Sequence, residues 1–124
     1  MSYAEEKSNG DLLNSLIIEA IQDVKGKNIV KLDLRHISDA PVDYFIVCEG
    51  ESSTQVKAIS DNISKKVKEE LDTRPSFVEG TSQAHWVLVD YFDTVVHVFH
   101  PETRAFYQLE DLWNDAKTTQ YQSL

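Results

Sequence analysis

The sequence predicts one α/β domain, of the α+β kind, in which a mixed β-sheet of about five strands is flanked by helices. Three observations lead there. Apolar residues recur at helical spacing in "DLLNSLIIEAIQDVKG" and again in "SSTQVKAISDNISKKVKEELDT". Around these segments the period drops to two, as in "NIVKLDLRH", or the run is apolar on both faces, as in "DYFIVC". The 124 residues, 41% of them hydrophobic, suffice for one modest core and no second one.

Each element has its own signals. Leu13, Leu16, Ile17, Ala20, Ile21 and Val24 form the apolar stripe of a first helix, which Asp11 can cap and Gly26 can close. Val30, Leu32 and Leu34 alternate with Lys31 and Asp33, the pattern of a half-buried strand. The turn signals "SDAP" precede "DYFIVC", which reads as a central strand. A second helix carries Val56, Ile59, Ile63, Val67 and Leu71, with Ser52 and Gln55 spaced as a capping box and a solvated Lys/Glu face. "PSFVEG" suits a short edge strand, because Pro75 has no N–H to give a ladder. Two strands follow within "HWVLVDYFDTVVHVFHPETR", then a short terminal helix in "LEDLWNDA". Residues 1–10 are expected as a flexible N-terminus, 11–116 as the single domain, and 117–124 as a loose C-terminal tail.

Parity divides the two late strands into faces. If Phe92 and Asp93 form a two-residue hairpin loop, Tyr91 pairs with Thr94, Leu88 faces His97, and Trp86 faces Phe99. Val87, Val89, Val96 and Val98 then share a core face. The opposite face collects Trp86, Leu88, Asp90, Val95, His97 and Phe99, large aromatics with a few polar handles, a mixture typical of contact surfaces. The competing reading is that the first helix covers this face and His97 is a satisfied core histidine.

Charge and spacing exclude several functions. Lys+Arg 12 against Asp+Glu 21 gives a net charge of −9, which argues against a protein that wraps a phosphate backbone by itself and favours a basic protein partner; no direct sequence-specific nucleic-acid binding is expected. No apolar run approaches the roughly 18 residues of a membrane span, and "MSYAEEKSNG" has neither an apolar nor an Arg-rich targeting pattern, so the expected location is the cytoplasm. Cys48, the lone cysteine, sits in an apolar run and reads as a core thiol. His97 and His100 are three apart on a strand and point to opposite faces, which is no basis for a zinc site. "CEGESST" places a Gly and hydroxyls before a helix, but Glu49 and Glu51 would repel a phosphate, and neither GxxxxGK[ST] nor GxGxxG occurs. No catalytic residue, metal or cofactor is expected.

The strings "DYFIVCEGESSTQVKAISDNI", "EG" and "HWVLVDYFDTVVHVFHPETRAFYQLEDLW" resemble the ribosomal silencing factor family (RsfS, also called Iojap), over about residues 11 to 116. The resemblance implies a nucleotidyltransferase-like fold without the transferase's catalytic carboxylates. It also implies attachment to the large ribosomal subunit through ribosomal protein L fourteen at the subunit interface, where the protein blocks subunit joining and represses translation under nutrient limitation. On that reading Trp86 and Leu88 are apolar anchors, Asp90 pairs with Lys or Arg, His97 and Phe99 widen the patch, and Tyr91 is counted among the partner contacts. Arg104 and Tyr107 match the family as partner contacts or as residues fixing the last helix. The chain departs from the family's usual glycine at Phe92 and from its common Ser-Gly at Glu49-Gly50. The first departure leaves the hairpin's turn type open, since a bulky residue resists positive φ. Two other classes fit the residues: a self-associating domain, whose homodimer is also compatible with silencing, and a residual nucleotidyltransferase using Asp90 and Asp93.

Overall fold

The computed structural model describes residues 9–124. Residues 1–8 lie outside them, so the expected flexible N-terminus is seen only at Asn9 and Gly10, which already belong to helix α1, Asn9–Asp23. The helix ends where Lys25 adopts φ 65° and the Gly26 N–H reaches back to the Ile21 carbonyl at 2.9 Å. Gly26 is needed here for closeness rather than for φ. A Cβ on it would stand 2.3 Å from Ile21 Cγ2.

Strands β1 (Lys27–Asp33) and β2 (Tyr44–Glu49) precede helix α2 (Ser53–Leu71), then β3 (Phe77–Glu79), β4 (Trp86–Asp90) and β5 (Thr94–Phe99). A short helix α3 (Pro101–Tyr107), a 3-10 turn (Leu109–Trp113) and β6 (Lys117–Tyr121) complete the chain. The sheet order is β3-β4-β5-β2-β1-β6. Only β2 and β5 run parallel; every other neighbouring pair is antiparallel. The sheet is therefore mixed, with the apolar β2 near its centre and "FVE" at one edge.

Two expectations need correction. The sheet has six strands rather than about five, because "KTTQY" is a strand paired to β1 from Asp33↔Lys117 to Ile29↔Tyr121 and not a loose tail. Its side chains are mostly exposed, so backbone pairing holds it where no apolar pattern announces it. The terminal helix expected in "LEDLWNDA" is a 3-10 turn, and an unforeseen helix, α3, comes before it with Pro101 in its first turn.

The α2 capping box also differs by one residue. Ser52 Oγ accepts from the Gln55 N–H at 3.1 Å, but the Gln55 side chain accepts from Glu51 rather than from Ser52. Gln55 Nε2 donates to the carbonyls of Val24 and Lys25, which ties the start of α2 to the end of α1.

Two apolar layers sandwich the sheet. Ile17, Ala20 and Ile21 of α1 and Val56, Ile59, Ile63 and Val67 of α2 pack on Ile46, Cys48, Val87, Val89, Val96 and Val98. Burial among these raises the Cys48 thiol to about 12, which leaves it a core group and not a nucleophile. On the other face Leu32, Leu34, Phe45, Val47, Val95 and Phe99 are covered by Leu109, Trp113 and Ala116 and by Ile37, Ala40 and Val42 of the β1–β2 loop. This second layer is incomplete, and the opening it leaves is where the candidate site lies.

Candidate functional site

The β4–β5 hairpin has the register that parity predicts. Trp86↔Phe99, Leu88↔His97 and Asp90↔Val95 share one face, and Val87↔Val98 and Val89↔Val96 share the other. All four of those valines are fully buried beneath the two helices. The two long helices together thus cover the valine face, and the aromatic face is left to α3, the 3-10 turn and the β1–β2 loop.

Expected contact residues divide sharply on this face. Phe99 and His97 are 0% and 4% exposed, so they do not widen an exposed patch as anticipated. Lying on a central strand beneath a second layer, they support the surface instead. Trp86, Leu88 and Asp90, on β4 nearer the edge, are half-buried and reach solvent. Trp86 stacks at a tilt on Phe99 at 4.9 Å and on Tyr107 at 4.8 Å, and its indole N–H donates to His97 Nδ1 at 3.0 Å. His97 meets Phe45 edge-on at 4.7 Å.

That hydrogen bond fixes the histidine's chemistry. Since Nδ1 accepts, the imidazole is neutral with its proton on Nε2, and Nε2 has no hydrogen-bond partner among the described residues. Burial holds its pKa down, from the usual 6.5 to about 4, against a small opposing pull from Glu110. The satisfied-core-histidine reading is therefore half right: His97 is core, and only one of its nitrogens is satisfied.

A cleft of about 750 Å³ opens over this floor. Phe45, Leu88, Val95 and His97 lie at its base, the segment from Leu34 to Asp43 forms one wall, and Ser76 and Phe77 form the other. Asp43, Asp90, Asp93 and Arg35 supply its charged groups. Arg35 is neutralised by Asp33, to which it donates at 2.8 and 3.0 Å, and this pairing lowers the Asp33 carboxyl to about 2. The remaining three carboxylates make the mouth acidic.

Phe92 stands at the hairpin tip, 79% exposed, with φ 80°. The Asp93 N–H donates to the Tyr91 carbonyl at 3.1 Å, so the turn closes as a γ-turn of the positive-φ kind, while Tyr91 N–H reaches Thr94 O at 2.8 Å. Asp90 Oδ1 accepts from the Phe92 N–H at 2.7 Å. The turn type left open by the sequence is thus a tight positive-φ turn built around a phenylalanine.

Three more expected contacts find other places. Tyr91 is 7% exposed on the helix face, opposite Asp90 by strand parity, and burial raises its phenol to about 12. It cannot share a surface with Trp86, Leu88 and Asp90. Arg104 donates to Glu49 at 2.9 Å, to Glu110 at 2.8 Å and to the Asn28 carbonyl at 2.7 Å, with its side chain 11% exposed. It fixes the last helix to β1 and β2. Tyr107, 53% exposed, extends the aromatic row outward from Trp86.

Phe77, Asp43 and the apolar residues Ile37, Ala40 and Val42 were not anticipated at the site. Phe77 pairs with Asp90 across β3–β4, so its place on the cleft face follows once that register is known. The loop signal was present as apolar residues inside the turn-rich "HISDAPVD".

The sequence profile of the family described as "Ribosomal silencing factor during starvation" (RsfS) matches residues 6–124. The chain is 43% identical over 117 residues to the ribosomal silencing factor RsfS of Halalkalibacterium halodurans, covering 94% of this chain and 97% of that one. It superposes on a crystal structure of a Chromobacterium violaceum protein with a TM-score of 0.78 at 39% identity, over 83% of this chain and 84% of that one. A mouse relative named mitochondrial assembly of ribosomal large subunit protein 1 is 34% identical, over 57% of this chain and 32% of that one. A match spanning nearly the whole sequence, a relative aligned over almost all of both chains and a shared fold lead to one conclusion: this chain belongs to the RsfS family of ribosomal silencing factors.

Proposed function

We propose that the cleft face docks on the large ribosomal subunit through a basic ribosomal protein, L fourteen, at the subunit interface. Occupying that surface sterically blocks joining of the small subunit and lowers translation when nutrients are limiting. One observation carries the reading: a half-buried apolar strip, Trp86 and Leu88, runs into an acidic cleft mouth formed by Asp43, Asp90 and Asp93. Such a surface suits a basic protein, because carboxylates at the rim steer the encounter and an apolar centre supplies affinity. The mouse relative's name points to the same subunit.

Binding is favoured over catalysis. Asp90 already accepts the Phe92 N–H, and among the described residues no three His, Cys, Asp or Glu side chains converge as metal ligands. The test is a pull-down from lysate resolved on a sucrose gradient. Co-migration with free large subunits and absence from joined ribosomes is the expected result; a protein that stays at the top of the gradient contradicts it.

Self-association is a second reading, favoured by the β3 edge, where Phe77 and Val78 are 48% and 38% exposed. A dimer formed there would persist without ribosomes in sedimentation-equilibrium runs. Large subunits that compete it apart would make the two partners exclusive.

A further inference from the structure

The hairpin tip holds an aromatic side chain where the backbone least favours one. Phe92 sits at φ 80° in a tight turn, a region in which glycine is at ease and a bulky residue is strained. The ring is 79% exposed and lines the cleft mouth, so burial among the described residues does little to offset that strain. Phe77, 48% exposed, lines the same mouth from β3. Asp43, Asp90 and Asp93 line the same cleft. His97, 4% exposed, also lines the cleft and carries a ring N–H that has no partner among the described residues.

We propose that Phe92 is a specificity contact: its ring, with Phe77 across the cleft mouth, receives a Lys or Arg side chain of the basic large-subunit protein. This inference rests on the docking reading above and names the chemistry of what enters the cleft. Two aromatic faces offer negative quadrupole potential to a cation, and three neighbouring carboxylates complete the charge match. A long cationic side chain also lays its methylene stem along apolar surface while its head stays polar. An apolar occupant would gain from the rings but leave the carboxylates unpaired.

The test measures affinity for purified large ribosomal subunits, with thermal melting alongside. Phe92→Gly relieves the positive-φ strain and should melt at or above the parent temperature, yet bind about tenfold more weakly. Phe92→Leu keeps apolar bulk and the strained backbone but loses the ring face; it should bind as weakly as the glycine variant. Phe92→Trp should bind at least as tightly as the parent. Parent-level binding by both the glycine and the leucine variants overturns the proposal, and parent-level binding by leucine alone overturns its cationic part. Asp90→Lys is run in parallel. If it abolishes binding while the Phe92 variants do not weaken it, the inference fails and the docking reading stands. If the parent itself does not bind large subunits, both fail.

Discussion

Acidification should weaken this fold through one residue. His97 is neutral and 4% exposed, and its Nδ1 lone pair accepts the Trp86 indole N–H at 3.0 Å. Burial lowers its pKa from 6.5 to about 4 in the folded protein. Between those values the unfolded chain binds a proton at His97 and the folded one does not. Stability from this group is therefore complete above about pH 6.5 and falls as pH drops toward 4. At about 1.4 kcal/mol per unit the full swing is about 3 kcal/mol, a large share of a domain's roughly 5–15 kcal/mol. The Asp33–Arg35 pair acts in a separate, lower window, since Asp33 titrates from 3.8 down to about 2. Urea unfolding followed by tryptophan fluorescence, at several values between pH 7 and 4.5, measures the effect. A His97→Gln variant keeps an acceptor for Trp86 and cannot titrate, so its stability should decline much less than the parent's. Parallel curves for the two proteins would show that His97 is solvated or charged in the fold.

Other perturbations test the packing. Val89→Asp should abolish the cooperative melt, because Val89 is fully buried under α2 and an unpaired carboxylate there is far costlier than the domain can absorb; a near-parental melting temperature would invert the face assignment. Arg104→Met leaves Glu49 and Glu110 without their shared cation and should cost about 2–3 kcal/mol, or roughly a 10 °C fall in Tm. A loss below about 0.5 kcal/mol in a chemical melt would mean that the clasp does not stabilise the fold. Deleting residues 117–124 strips β6 from β1 and should cost at least about 2 kcal/mol, since Tyr121 also packs on the helical layer; an unchanged Cm would return that segment to the status of a tail.

Much of the fold was legible because period and parity are local. The stripe from Leu13 to Val24, the apolar run of β2 and the hairpin register from Trp86 to Phe99 all follow from spacing. β6 was not legible, because its polar side chains follow no burial pattern and its reason for being a strand is the open edge of β1, about ninety residues earlier in the chain. The site was partly legible for the same reason. Parity put Trp86, Leu88 and Asp90 on one face and Tyr91 on the other, so counting Tyr91 as a contact went against the pattern that the hairpin itself displays. What parity could not supply was the second layer: which of these residues α3, the 3-10 turn and the β1–β2 loop would cover. Position across the sheet decided that, burying His97 and Phe99 on the central β5 and leaving the residues of β4 half open.

Asp90 offers the most direct measurement of docking through the cleft face. Its carboxylate accepts the Phe92 N–H at 2.7 Å, so the charge and the turn must be separated. Asp90→Asn keeps an acceptor and removes the charge, and Asp90→Lys reverses the charge. Both variants should remain folded in thermal melts, with the lysine variant losing about 1 kcal/mol from the missing turn hydrogen bond. Co-sedimentation with purified large subunits should fall about tenfold for Asn and by orders of magnitude for Lys, because a reversed charge then faces a basic surface. Subunits incubated with the lysine variant should rejoin as freely as with no protein added. Should folded Asp90→Lys co-sediment as strongly as the parent, this face is not the docking surface and the partner must seat elsewhere on the protein.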